Sequence, residues 1–114
     1  MTREFVYTAL FQRSWKAMGL NDADQKLLEE ALLQNPQLGD VIEGTGGARK
    51  MRIHLEGRDK SGGGRVIYVD VFELEKLYFL LAYFLLAYPK NVQDNLTPEQ
   101  KKMIRKLVDA IQKE

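Results

Sequence analysis

The sequence predicts an α+β fold: two N-terminal helices packed on a twisted antiparallel β-sheet, with a further helix at the C-terminus. Three observations carry this. Apolar residues recur at helical spacing up to Gln34, a period of two takes over from Lys50, and a capping signature at Thr97 opens a final stripe of helical period. The 114 residues suit one domain over 1–114 with one core. Hydrophobic residues make up 45% and charged residues 29%, an ordinary globular balance.

The elements follow in order. Glu4 to Thr8 can form a short strand. Leu10, Phe11, Ser14, Trp15 and Met18 fall at helical spacing, and Gly19 ends that segment as the left-handed residue after the cap. Asn21 or Asp22 can cap a second helix, with Asp24 favourable in its first turn. Leu27, Leu28, Ala31 and Leu32 form its stripe, and Asn35-Pro36 stops it, because the residue before proline leaves the helical region. The short connection predicts that the two helices lie antiparallel. The glycine-rich segment 39-GDVIEGTGGARK-50 reads as a loop. In 50-KMRIHL-55, Lys50, Arg52 and His54 share one face of a strand, and Met51, Ile53 and Leu55 the other. A second glycine loop, 61-SGGG-64, leads into 65-RVIYVDVF-72, rich in β-branched and aromatic residues. The connections are too short for crossover helices, which favours antiparallel hairpins. At the C-terminus Thr97 caps, Pro98 occupies the first helical position, and Gln100 completes a capping box. Met103, Ile104, Leu107, Val108 and Ile111 make the buried stripe.

Between the last two elements lies 77-LYFLLAYFLLAYPKN-91, in which YFLLA occurs twice. Its twelve apolar residues, Leu77 to Tyr88, fall short of the roughly 20 that a spanning helix needs. A buried strand is expected, with no membrane contact. The N-terminal stretch lacks the long apolar region of a signal peptide. There is no cysteine and only one histidine. That excludes a disulfide framework, a cysteine nucleophile and a thiolate or histidine-rich metal site.

Charge is concentrated. The chain as a whole carries +1, yet residues 47 to 65 hold six basic residues (Arg49, Lys50, Arg52, Arg58, Lys60, Arg65) against Glu56 and Asp59, a local +4. Pleating aims Lys50, Arg52 and His54 one way, and the glycine loop returns Arg65 beside them. Such a face suits a polyphosphate backbone, although a solvated polar face of a half-buried sheet accounts for the same charges. The GTGG and SGGG runs fit no Walker or dinucleotide pattern, and hairpin geometry explains them better than phosphate binding. Trp15 and the helix aromatics read as core.

The strings 35-NPQLGDVIEGTGGARKMR-52, 57-GRDKSGGGRVIY-68, 88-YPKN-91 and 95-NLTPEQKK-102, taken in this order after two helices, resemble the RelE/ParE toxin superfamily in its HigB-like branch. The resemblance spans almost the whole chain. It implies a RelE-like fold and the toxin half of a type II toxin–antitoxin pair, cytoplasmic, neutralised by an antitoxin with a helix-turn-helix domain. It implies a metal-independent, cofactor-free endoribonuclease that cuts mRNA on the ribosome. The basic positions of the family motif fall on Lys50, Arg52, Arg58, Lys60, Arg65 and Lys90. Two departures stand out. Where many members carry a tyrosine or histidine at or after the last strand, this chain reads NVQDNL, with Tyr88 nearby. Asp59 replaces the second glycine of the usual G-R-G-K. Alternatives from other classes are a gyrase inhibitor of the ParE type and a plain RNA-binding module.

Cleavage without a metal needs a base for the 2′-OH, charge stabilisation at phosphorus and an acid for the 5′-oxygen. Arg65 is expected to be the main phosphate-stabilising residue, exposed, with Arg52 beside it. Lys50 or Lys90 is the candidate for proton transfer, since a lysine among like charges gives up its proton more readily. His54 is a substitute base, and Arg49, Arg58 and Lys60 are candidate RNA contacts. The repeat adds an expectation of its own. Five is odd, so in a regular strand Tyr78 and Tyr83 fall on opposite sides. The surplus apolar edge then favours a homodimer through residues 73–90.

Overall fold

The computed structural model describes residues 3–53, 64–84 and 96–113. Strand β1 (Glu4–Tyr7) leads into α1 (Ala9–Ala17) and α2 (Asp22–Gln34). Strands β2 (Asp40–Val41), β3 (Arg49–Ile53), β4 (Gly64–Val71) and β5 (Lys76–Phe84) follow, and α3 (Pro98–Gln112) closes the chain. The α+β architecture is the expected one. No helix among the described residues is long and apolar enough to cross a membrane.

The caps form as the sequence indicates. Thr8 accepts from the Phe11 N–H at the start of α1, and Gly19 follows that helix at φ 79°. Asn21 and Asp24 make a reciprocal capping box on α2, and Asn35 ends that helix in an extended conformation. Thr97 and Gln100 do the same for α3, with Pro98 in its first turn.

The sheet has the order β1-β5-β4-β3-β2. Strands β2 to β5 are antiparallel neighbours, while β1 joins β5 in parallel, Glu4 opposite Lys76 and Tyr7 opposite Phe79. Hairpin reasoning yields the antiparallel part only. The parallel edge arises because α1 and α2 carry the chain away from β1 before the sheet is built. Each sheet face has its own core. Phe11 and Trp15 of α1, Met18 at its C-terminal cap, and Leu28 and Leu32 of α2 pack on Met51, Val66, Tyr68, Leu77 and Phe79. Ile104, Val108 and Ile111 of α3 pack on Ile67, Val69, Tyr78, Leu80 and Leu81 from the other side. Trp15 belongs to the core, as its spacing indicates, and its indole N–H donates to the Asn21 carbonyl at 3.2 Å.

Two features of β5 decide how the repeat is housed. The first YFLLA copy, Tyr78–Ala82, lies wholly within the strand, and the second begins at Tyr83, opposite Arg65. Between the pairs Ile67–Leu81 and Tyr68–Phe79 the register slips by one residue, leaving Leu80 as a bulge. Leu80 and Leu81 are accordingly buried in the same core, although they are consecutive. The bulge removes the regular strand on which the parity expectation rests. Tyr78 stands opposite Val69 and Tyr83 opposite Arg65, two positions of the same parity on β4. An offset of five with one residue absorbed is an offset of four.

The side of β5 beyond the end of β1 is also occupied. Thr8 Oγ1 lies 3.0 Å from the carbonyl oxygens of both Phe79 and Leu80, and the Ala82 N–H donates to Ser14 Oγ at 3.0 Å. The first turns of α1 thus take the place of a longer edge strand.

Candidate functional site

The β3–β4 ladder sets Arg52 directly opposite Arg65, with Lys50 two positions along β3 opposite Ile67. These three side chains line one cleft of about 410 Å³ together with Leu38, Asp40 and Met51. The basic face expected from pleating is therefore present in Lys50, Arg52 and Arg65.

Arg65 departs from expectation in one respect: it is only 3% exposed. The reason is its strand. β4 lies between β3 and β5, so a side chain there is flanked on both sides. Arg65 Nη1 donates to the Gly64 carbonyl at 3.1 Å. Arg52 is exposed and Lys50 half-buried. The cleft thus pairs one arginine fixed by its surroundings with one that projects into solvent.

Arg49 lies elsewhere. It stands opposite Tyr68 on the ladder, and its Nη1 donates to the Gly39 carbonyl at 2.7 Å. It lines a different cavity with Arg3, Asp70 and Phe72. There Arg3 Nη2 donates to Asp70 Oδ2 at 3.1 Å. Arg3 Nε and Asp70 Oδ1 are 3.0 Å apart but not aligned as a hydrogen bond, so the ion pair is joined by one bond rather than two. His54, Arg58, Lys60 and Lys90 lie outside the described residues.

The segment leading into β3 is built to hold this arrangement still. The Tyr68 hydroxyl is buried, accepts from the Gly39 N–H at 2.9 Å and donates to the Pro36 carbonyl at 2.9 Å. Burial pushes its phenol pKa above the ordinary value of 10.0, opposed by the Gly39 hydrogen bond and by Arg49. Gly39 admits no side chain, since a Cβ there would sit 2.7 Å from the Lys50 carbonyl oxygen. In the following turn, Gly44, Gly46 and Gly47 all have positive φ, which explains the run GTGG without a phosphate. Thr45 is fully buried and knits the turn, donating to the Ile42 carbonyl at 2.7 Å and accepting from the Ala48 N–H at 3.1 Å.

A second cavity, of about 360 Å³, adjoins the arginine cleft. Asp40 and Lys50 line both, and among the described residues Val41, Ile42, Glu43, Leu96 and Lys101 also line the second. Sequence reading missed this feature. A two-residue strand at Asp40–Val41 leaves no periodic signal, and Lys101 reads as one more solvated lysine on α3.

Comparison with known proteins agrees with this fold. The model of a family described as the RelE toxin of the RelE/RelB toxin–antitoxin system matches residues 4–114. Three solved structures from E. coli are similar in fold. A doubly substituted RelE toxin in the free state has a TM-score of 0.52 at 15% identity, covering 73% of this chain and 83% of that one. The intact RelBE toxin–antitoxin complex gives 0.51 at 15%, covering 72% and 95%. The isolated RelE toxin gives 0.51 at 11%, covering 93% and 99%.

Proposed function

Because the chain belongs to the RelE toxin family, we propose that it is the toxin of a type II toxin–antitoxin pair and acts in the cytoplasm as an mRNA endoribonuclease on the ribosome. The observation that carries the reading is the Arg52–Arg65 pair. Like charges directly opposite on neighbouring strands destabilise a sheet. A fold that keeps them so, with Lys50 in the same cleft, is arranged for a polyanion.

In the mechanism the ribose 2′-oxygen attacks the adjacent phosphorus and loses its proton to a base. The 5′-oxygen leaves with a proton from an acid, and a 2′,3′-cyclic phosphate remains. Arg65 and Arg52 offset the charge gained at phosphorus. The low exposure of Arg65 favours this role, since a donor already fixed reorganises little during the reaction. Lys50 or Lys90 moves the proton, and no metal is required. The GTGG and SGGG strings favour the HigB-like branch, and with it an antitoxin bearing a helix-turn-helix domain. The intact complex of the E. coli relative makes an antitoxin the natural partner. Bound antitoxin is expected to lower RNA affinity by covering the basic cleft or by blocking entry to the ribosome.

The test is to add the protein to translating ribosomes and map mRNA 5′ ends. New ends that vanish with Arg52→Ala and on adding the antitoxin support the reading. Inhibition of gyrase supercoiling without new mRNA ends would replace it with the ParE-type activity.

A further inference from the structure

The cavity between β2 and α3 is unlike the arginine cleft that it adjoins. Among the described residues its polar lining is balanced, with the carboxylates of Asp40 and Glu43 against the ammonium groups of Lys50 and Lys101. A phosphate gains nothing from two carboxylates. The rest of the lining among the described residues is apolar. Leu96 is buried, Ile42 half-buried and Val41 exposed, a surface on which a flat ring can lie. A single-stranded nucleotide splays its base onto such a surface and is read along its polar edge.

The cavity walls are also fixed. Asp40 is held opposite Lys50 by the β2–β3 ladder, and the Ile42 N–H donates to the Ala48 carbonyl at 2.8 Å. Gly46, in the same turn, lies against Arg105 and Val108 of α3. Because Asp40 and Lys50 line both cavities, this one lies directly beside the place where a phosphate would meet Arg52 and Arg65.

We propose that this cavity is a base-reading subsite beside the phosphate cleft, and that Asp40 and Glu43 select a base carrying an exocyclic amino group against uracil. The inference rests on the RNA-cleaving reading and adds what the strand must contain. A carboxylate only accepts hydrogen bonds. The amino groups of adenine, cytosine and guanine donate to it, whereas uracil offers only its N3–H, flanked on both sides by carbonyl oxygens that repel a carboxylate. Lys50 and Lys101 serve the ring and carbonyl acceptors that flank an amino group.

The experiment measures binding, not cleavage. The full chain is titrated with short 2′-O-methyl oligonucleotides of adenine, of cytosine and of uracil, which cannot be cut. The adenine and cytosine oligomers should bind about tenfold more tightly than the uracil oligomer, the scale of one good base contact. Asp40→Asn combined with Glu43→Gln should collapse the difference, because an amide also donates. Arg52→Ala should weaken all three alike. Equal binding of the three by the parent overturns the inference, as does a preference that survives the double substitution or no binding of any oligomer. The ribosome assay judges the nuclease reading separately, since mRNA can be cut without base preference. Asp40 and Glu43 are exposed, so an unchanged melting temperature will show that the double variant is folded.

Discussion

Arg65 and Tyr68 stand three residues apart on β4, and each fixes one side of the candidate site. Arg65→Ala removes a charge-stabilising donor and is expected to slow mRNA cleavage by roughly 10²–10³. Because the residue is buried, the substitution also leaves the Gly64 carbonyl without that donor. A stability loss of roughly 1–3 kcal/mol should accompany the rate loss. Arg65→Lys separates the two effects, since it keeps the charge but not the planar fork. Cleavage within a few-fold of the parent in Arg65→Ala would remove this residue from the mechanism. Tyr68 acts through pH. Its folded pKa is raised above about 10, so the folded state holds the phenolic proton more tightly than the unfolded chain. That contribution is fully present below pH 10 and falls away as pH rises through the folded pKa. Urea unfolding between pH 9 and 11 should show this alkaline loss in the parent and a smaller one in Tyr68→Phe. That variant should itself be less stable by roughly 1–3 kcal/mol, because the Gly39 N–H and Pro36 carbonyl lose their partner.

Strand β5 shows how two copies of one string are told apart. The shared residues do not discriminate between threadings, but their flanks do. With the first copy in place, Leu77 is fully buried. Sliding the second copy into the same positions would put Ala82 in that slot, at a cost of roughly 2–5 kcal/mol for a buried leucine cut to alanine. It would also bring Pro89, which has no N–H, opposite Gly64. The longer connection that such a slide requires costs only about 0.6 kcal/mol per doubling, so burial decides. Deleting residues 83–87 leaves positions 76–82 unchanged and sets Tyr88 opposite Arg65, with Pro89, Lys90 and Asn91 directly behind it. The shortened protein should fold, cleave mRNA faster and associate less. Equal activity and equal light scattering would show that the second copy is carried without consequence. The helices were legible down to their caps, because capping chemistry is local and Thr97, Gln100, Asn21 and Asp24 need only one another. The basic face of Lys50, Arg52 and Arg65 was legible from strand period. The bulge at Leu80, the burial of Arg65 and the parallel edge were not, since each depends on a neighbour distant in sequence.

The whole molecule is close to neutral, with its positive charge gathered in one region, and that has a measurable signature. If Lys50, Arg52 and Arg65 are the phosphate contacts in the described part of the cleft, log affinity for single-stranded RNA should fall with log salt at a slope near −2, from about −0.7 per contact. A slope near zero would remove the polyanion reading. The expected self-association through residues 73–90 meets a sheet in which β5 is an inner strand, flanked by β1, Thr8 and Ser14 on one side and by β4 on the other. Light scattering on the full chain decides whether a dimer forms despite this. The β1–β5 pairing has a further consequence, for synthesis. A nascent chain emerges N-terminus first, but Glu4 waits for Lys76 and Tyr7 for Phe79. Until β5 leaves the exit tunnel, the first strand has no partner and α1 no sheet to cover. A chain stalled before that point presents unpaired strands and an open apolar face. The sheet that α1 covers is thus completed only once β5 has been made.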